Sequence, residues 1–295
     1  MQYLKSFSFA PEKQEEGYLT SVTNEKMWSA AYTDNVYPFH LFPQKRLTSL
    51  SFAPITILYG GNGSGKSTVL NLIAEALGIR RLAPFNHTPF YDDYLSFCKW
   101  ELFFGWRVPD GSRILTSDAV FDFLLDIRAR NDGIDTRREQ IFAEYNAAHD
   151  PNSHMQLTSL EEYEEFRQFR EAKRKTRSQY THKRLADNSP MRSNGESAYL
   201  FFCQQITENA LFLLDEPENS LSAALQKQLA QFLEEAVRFY DCQLVISTHS
   251  PFLLAMKDAV VYDLDVSPVR ERSWTELDAV RTYYDFFKTH EREFD

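Results

Sequence analysis

The chain has 295 residues, enough for one large domain or two small ones. Hydrophobic residues make up 43% and charged residues 25%, a globular balance, and no apolar run reaches the ~18 residues that suggest a membrane span. The net charge of −10 argues against a surface that is basic overall but leaves room for a local basic patch.

Tyr3–Phe9 and Tyr37–Phe42 have strand-like composition, and Glu12–Glu16 and Pro43–Arg46 read as turns. This predicts an antiparallel sheet ahead of the apolar run Ile55-Thr56-Ile57-Leu58-Tyr59. After that run come Gly60-Gly61-Asn62-Gly63-Ser64-Gly65-Lys66-Ser67-Thr68 and the helical pattern Val69–Leu77. Strand, glycine loop and helix in this order fit G-x-x-x-x-G-K-[ST], with Gly60 and Gly65 framing the loop. Glycines let the backbone turn tightly and aim its N–H groups inward at an anion. The helix N-terminus adds roughly half a positive charge. Lys66 can reach the β- and γ-phosphates of a nucleotide, and Ser67 can hold Mg²⁺. Tyr37, Phe39 and Phe42 lie upstream; they read first as core residues of the sheet, and otherwise as a stacking surface for a base.

Gly78 stops the first helix. Arg80-Arg81 and a loop with Pro84 and Pro89 follow. Ser96–Val108 is aromatic-rich and strand-like, Pro109-Asp110-Gly111-Ser112 reads as a hairpin turn, and Ile114-Leu115-Thr116 returns. Ser117-Asp118 caps an amphipathic helix of about Ala119–Ala129.

Residues 131–192 differ in character. Two helices are expected, about Asp135–Ala148 and Leu160–Lys183, joined by a polar linker containing Asp150-Pro151-Asn152-Ser153. The C-terminal one of the two starts acidic and turns basic: eight Lys/Arg lie from Arg167 to Arg184, with Glu171 the single acid. Arg167, Arg170, Arg174, Arg177 and Arg184 recur at helical spacing near one face. Two readings stand: a contact for nucleic acid or an acidic partner along 167–184, or a solvated face that aids solubility. No long heptad array appears, so a compact lobe is expected.

From Ser193 the motifs return. Ala210–Leu214 is a short apolar strand ending in Asp215-Glu216-Pro217-Glu218-Asn219. Ser220–Tyr240 reads as a helix. Gln243–Ser247 is another apolar strand, ending in Thr248-His249-Ser250-Pro251. Unbroken apolar strands suggest a parallel sheet covered on both faces. Ala259–Leu264 is a further strand, and about Glu276–Lys288 a closing helix. Cys98, Cys203 and Cys242 are scattered with no C-x-x-C, against a zinc site or a disulfide framework. With no signal-peptide pattern at Met1–Phe7, they point to the cytoplasm.

An acidic pair at the end of a buried strand is what a phosphate loop needs for nucleotide hydrolysis. Asp215 can bind Mg²⁺, directly or through water. Glu216 beside it can polarise the attacking water. His249, at the end of the next strand, can hydrogen-bond the γ-phosphate or that water.

The set resembles the ABC-type ATPases, and specifically their branch of chromosome-maintenance, recombination-repair and anti-phage defence ATPases. Four stretches carry the resemblance: the loop Gly60–Thr68, Ser193-Asn194-Gly195-Glu196-Ser197, Leu213–Pro217 and Ser247–Pro251. Of these, Ser193–Ser197 resembles the ABC signature, with Asn194 in place of the usual first glycine and Glu196 at the glutamine position. Opening a helix, it would make another anion-binding N-terminus. Asn219–Ser222 falls where the family has its D-loop. The resemblance implies a phosphate-loop NTPase of ABC type: a mainly parallel α/β sheet flanked by helices, an N-terminal antiparallel β subdomain and an inserted helical lobe. The expected division is 1–130 and 193–295 for the ATPase core and 131–192 for the lobe. It implies ATP and Mg²⁺ as ligands, bound through Gly61, Asn62, Gly63, Ser64, Gly65, Lys66, Ser67 and Thr68. It also implies a head-to-tail homodimer, or a higher oligomer of dimers, in which Ser193, Asn194, Gly195 and Glu196 reach the γ-phosphate held by the opposite copy. The metal ligands would be Ser67 and Asp215, and the catalytic residues Glu216, His249 and Lys66.

One family element is missing. No Gln occurs between Ser67 and Arg138, so the expected Q-loop glutamine is absent, and Thr116-Ser117-Asp118 stands in its place, with Ser117 or Asp118 as the substitute. The implied role is an ATP-driven switch for a partner such as a nuclease in defence or repair. The alternatives are a slowly hydrolysing scaffold or regulator of an effector and, less favoured, the ATPase subunit of a transporter.

Overall fold

The computed structural model describes residues 2–21, 36–85, 87–103, 105, 107–150, 163–176, 180 and 193–294. They fall into two compact units, one of Met1–Phe121 with Asn194–Asp295, the other of Asp122–Ser193.

The first unit is built on a seven-stranded sheet of β3 (Ile55–Tyr59), β4 (Arg80–Arg81), β6 (Arg113–Thr116), β7 (Leu211–Asp215), β8 (Gln243–Ser247), β9 (Val260–Asp263) and β10 (Arg270–Glu271), in the order β10-β9-β3-β8-β7-β6-β4. All neighbours run parallel except the edge strand β10. Every residue of β3 and β8 is buried, as the unbroken apolar runs require of parallel strands covered on both faces. The fold class is therefore the expected α/β. Register does the positioning. Thr116, Asp215, Ser247 and Leu58 are paired in one row across β6, β7, β8 and β3, so four loops leave the same edge side by side. The carboxyl ends of parallel strands are where such sheets hold ligands.

Another sheet, antiparallel, joins β1 (Leu4–Ser8) to β2 (Ser49–Ser51) and to β5 (Lys99–Leu102). Gln243 ties it to the main sheet: its Oε1 accepts the N–H groups of Tyr3 and Leu4, both at 2.8 Å.

Several local expectations are corrected. Tyr37–Phe42 is not a strand; it is a turn that leads into a short helix, Leu41–Gln44. Pro38 lacks a donor for a ladder, and His40 sits at φ 66, outside the β region. Phe39 and Phe42 are nonetheless buried: Phe39 stacks on Tyr18 and meets Tyr94 edge-on, and Phe42 stacks on Phe9. Glu12–Glu16 is not a turn but the start of a helix, Glu12–Ser21, begun by the Pro11 carbonyl accepting from Gln14 and Glu15. Ser96–Val108 splits between a helix, Tyr91–Phe97, and β5. The turn at Pro109–Ser112 forms, with Ser112 N–H on the Pro109 carbonyl at 2.9 Å, but it makes no hairpin. β5 pairs with β1 while β6 pairs with β4 and β7, so the turn carries the chain from one sheet to the other.

Ala119–Ala129 and Asp135–Ala148 are one helix, Ser117–His149, with Gly133 inside it. A single glycine costs about 1 kcal/mol there and does not break the helix. It begins in the first unit and continues in the other. In that unit Ile141, Ala148, Ala172 and Tyr180 form a small core. The helix Tyr163–Arg174 exposes Arg167, Arg170 and Arg174. Arg177, Arg184 and the linker 151–153 lie outside the described residues. Among the described residues, no helix is long and apolar enough to cross a membrane.

Candidate functional site

The glycine loop links β3 to the helix Lys66–Leu77. Two of its glycines are required by geometry. Gly65 sits at φ 96, a conformation that side chains disfavour. A Cβ on Gly60 would lie 2.6 Å from Ser64 Oγ, so the loop closes only without one.

Lys66 is buried and folds back over the loop. Its Nζ donates to the carbonyls of Gly60 at 2.6 Å and Gly61 at 3.1 Å. It also lies 3.0 Å from His249 Nε2 and 3.8 Å from Glu216 Oε1. At the start of the helix, Ser67 Oγ donates to Asp215 Oδ1 at 3.0 Å, and Ser247 Oγ donates to the same oxygen. Burial raises the Asp215 pKa, against the pull of the two hydroxyls. A serine hydroxyl beside one carboxylate is a hard-oxygen pair that suits Mg²⁺, which takes few protein ligands and keeps water and phosphate oxygens for the rest.

Glu216 turns out of the strand. It adopts φ 48 while its N–H stays on the Ser247 carbonyl at 3.0 Å. The bend brings its carboxylate to 3.5 Å from His249 Nε2, and Asn219 Nδ2 donates to Oε2 at 3.1 Å. The hydrogen bond from His249 is the main cause holding the Glu216 carboxyl down to about 2; Asn219 and the Lys66 charge add to it, against burial. Nε2 of His249 faces both Lys66 and Glu216. When it carries a proton it donates to Glu216; when it does not, it accepts from Lys66.

The structure thus brings Lys66, Ser67, Asp215, Glu216 and His249 together. The loop Gly61–Gly65 leads into the N-terminus of the helix Lys66–Leu77 at this point. Ser193–Glu196 opens a different helix, Asn194–Gln205. There Gly195 is tightly packed: a Cβ would meet Leu225 Cδ1 and the Ser220 carbonyl, both at 3.1 Å, and would push them by a few tenths of an ångström.

Thr116, Ser117 and Asp118 line a cavity of about 560 Å³ with Ser67 and Asp215. The row of paired residues explains this, since Thr116 neighbours Asp215 directly. Arg81 and Tyr37 also line it. Arg81 lies over the Phe85 ring, 4.2 Å from its centre, and donates to Asn71 at 2.6 Å. Tyr37 Oη donates to Thr68 Oγ1 at 2.7 Å.

Sequence reasoning missed Glu218, Asp265 and Ser247. Glu218 Oε1 accepts the N–H groups of His249 at 2.6 Å and Ser250 at 3.2 Å. Both oxygens of Asp265 lie 2.8 Å from the Gly61 nitrogen. The spacing of Glu218 behind the acidic pair was visible in the sequence, but not its target across two strands.

A family model described as "AAA domain, putative AbiEii toxin, Type IV TA system" matches residues 104–255, just over half of the chain. The chain belongs to this AAA family. The matched span holds Ser193–Glu196, the Asp215–Glu216 pair and His249, and begins after the phosphate loop. No curated protein matches the chain. Among solved structures, the dimeric post-hydrolysis state of an ATP-binding cassette bound to ADP and Pi is 14% identical; the match covers 78% of this chain and 90% of that one, with a TM-score of 0.39. A Smc head domain from Pyrococcus furiosus, with an extended coiled coil and bound to the C-terminal domain of ScpA, is 15% identical; the match covers 81% of this chain and 94% of that one, with a TM-score of 0.37. Membership of the AAA family rests on the family match.

Proposed function

We propose that the chain is an ABC-type ATPase that binds ATP and Mg²⁺ in the Gly60–Thr68 loop and hydrolyses the ATP. The observation that carries this reading is the meeting of Ser67 with Asp215, and of Lys66 with Glu216 and His249, at one edge of a parallel sheet. The loop N–H groups would cradle the phosphates, and Lys66 would leave the Gly60 and Gly61 carbonyls to reach them. Ser67 and Asp215 would hold Mg²⁺, which when bound supplies positive charge against the phosphate oxygens. Glu216 would orient the attacking water, with His249 hydrogen-bonded beside it. Little covalent work falls to the protein; its part is positioning and electrostatics.

The other half of each site would come from another copy. Ser193–Glu196 would face the γ-phosphate bound by the opposite chain of a head-to-tail dimer, so that hydrolysis opens and closes the pair. The cycle would switch a partner, a nuclease or other nucleic-acid-acting effector in defence or repair. The family description, which names a toxin–antitoxin system, supports the defence setting. The cysteines Cys98, Cys203 and Cys242 are free, which supports a reducing cytoplasm.

A different reading is favoured by one observation. A Glu216 carboxyl held near 2 is a weak base, and weak bases move protons slowly at neutral pH. The chain would then act mainly as an ATP-bound scaffold for its effector, with slow turnover.

Replacing Glu216 by Gln tests the common core of both readings. Phosphate release should be lost, and light scattering with ATP should show an accumulated assembly of twice the mass seen without ATP. A variant that hydrolyses normally and stays unchanged in mass with ATP sinks the assignment. The rate of the unaltered protein then separates enzyme from scaffold.

A further inference from the structure

The helix Asp278–Thr289 is anchored by its first turn. Leu277 and Val280 are buried, and the Ala279 N–H donates to Tyr59 Oη at 3.1 Å. Residues 281–289 are all exposed, yet they are not polar throughout. Val280, Tyr283, Tyr284 and Phe287 recur at steps of three and four and so share one face. Tyr283, Tyr284 and Phe287 are 52%, 52% and 53% exposed. With Phe252 and Trp274 they line a groove of about 620 Å³. Five aromatic side chains in this state leave on the order of 450 Å² of apolar surface. That lies within the roughly 300–600 Å² of a typical monomer's largest apolar patch, which is often functional, and it is more than half of the roughly 800 Å² that one partner gives a standard interface.

The charges beside this face indicate what covers it. Asp278, Arg281, Asp285 and Lys288 alternate in sign along a single flank, at steps of three, four and three. Let a second copy of the helix cross antiparallel, about a two-fold axis at Tyr283–Tyr284. The same flanks then meet, Asp278 lies opposite Lys288 of the partner subunit, and Arg281 lies opposite Asp285 of the partner subunit. A parallel crossing would set the charged flank against Ala279 and Phe286, which offer no countercharge. Flanking charges of this kind fix the partner and orientation of paired helices. Within one copy Arg281 and Asp285 approach only to 3.9 Å, an exposed pair that is easily shared.

We propose that the aromatic face of Asp278–Thr289 is a self-association surface, on which two copies of the chain pair through antiparallel helices. The contact is isologous, the same patch on both sides. It does not rest on the nucleotide reading, since the groove contains none of the loop residues and the pairing needs no ATP. Combined with a head-to-tail ATP dimer, it would build dimers of dimers.

Sedimentation equilibrium of the full chain without nucleotide tests this, across a range of concentrations. The unaltered protein should be a dimer. Tyr283→Glu with Phe287→Glu should raise its dissociation constant by about tenfold or more, with an unchanged far-UV circular dichroism spectrum. Asp285→Arg alone should weaken the dimer, and Arg281→Asp added to it should restore the dimer. An unaltered chain that stays monomeric overturns the proposal, even if the groove binds a helix from another protein. So does equal affinity for Asp285→Arg and the double variant. The Glu216→Gln measurement reads the ATP-dependent contact instead, so either interface can fail alone.

Discussion

Glu218 Oε1 accepts the main-chain N–H of His249 at 2.6 Å. The carboxylate leaves the end of β7 and holds the end of β8, just where the imidazole must face Glu216. Burial raises its pKa despite these N–H groups, so keeping it charged costs free energy that its position offsets.

Glu218→Ala should leave the His249 N–H short of a partner, while the Ser250 N–H keeps Thr248 Oγ1 at 3.0 Å, at a cost of about 1–3 kcal/mol. In a protein of this size that lowers the melting temperature by several degrees. Glu218→Gln keeps an acceptor oxygen. A carboxyl with a raised folded-state pKa binds its proton more tightly when folded, so its ionisation destabilises the fold as pH rises through that range. Gln removes this term. Its melting temperature at neutral pH should match or exceed that of the unaltered protein, and its acid-range pH dependence should be flatter. Calorimetry at several pH values checks both; a Gln variant as unstable as the Ala variant would contradict this account.

Glu216 behaves in the opposite sense. Its pKa falls from an ordinary 4.5 to about 2, chiefly through His249. Its contribution to stability is therefore complete above about 4.5 and disappears as pH falls through about 2. With its carboxyl held down to about 2, Glu216 should not set the acid limb of hydrolysis in the unaltered protein. His249→Ala removes the main cause of the depression, so the carboxyl should rise toward its ordinary value. The pH–rate profile of this variant should lose activity on the acid side earlier than the unaltered profile, besides being slower overall. Identical acid limbs in the two proteins would show that the imidazole does not control this carboxylate.

Much of this centre is legible in the sequence because its parts are local. Strand, glycine loop and helix at 55–77 need only nearest neighbours to be recognised, and two unbroken apolar runs report a parallel sheet. What stays hidden is what the sheet brings from afar. Ser247 reads as the last residue of a strand, but register puts it opposite Asp215 and gives that carboxylate another hydroxyl. Tyr37–Phe42 misleads because aromatic composition imitates a strand, whereas Pro38 and the left-handed His40 decide the backbone. The buried Glu15 explains the Glu12–Ser21 helix equally non-locally: its carboxylate accepts the His40 N–H at 2.7 Å. The turn at Pro109–Ser112 forms as its residues demand. Its flanking strands take other partners, β1 on one side and β4 and β7 on the other.

The cavity beside Ser67 gives the last prediction. Thr116, Ser117 and Asp118 reach it from the carboxyl end of β6 with no glutamine among them, so a substitute for the expected amide would be a hydroxyl or a carboxylate. Asp118 shares this cavity with Asp215, and two acids attract a divalent cation more strongly than one acid and an amide. Asp118→Ala should therefore raise the Mg²⁺ concentration needed for half-maximal hydrolysis several-fold, while nucleotide binding measured without Mg²⁺ stays the same. Ser117→Ala should have a smaller effect, since a neutral hydroxyl holds the ion less firmly. Asp118→Gln restores the usual amide and should bring the Mg²⁺ requirement only part of the way back. A titration of phosphate release against Mg²⁺ for the three variants decides the matter: if Ser117→Ala shifts the requirement and Asp118→Ala does not, the hydroxyl is the substitute and Asp118 is only an acid in the first turn of a helix that Thr116 Oγ1 caps through the Ala119 N–H.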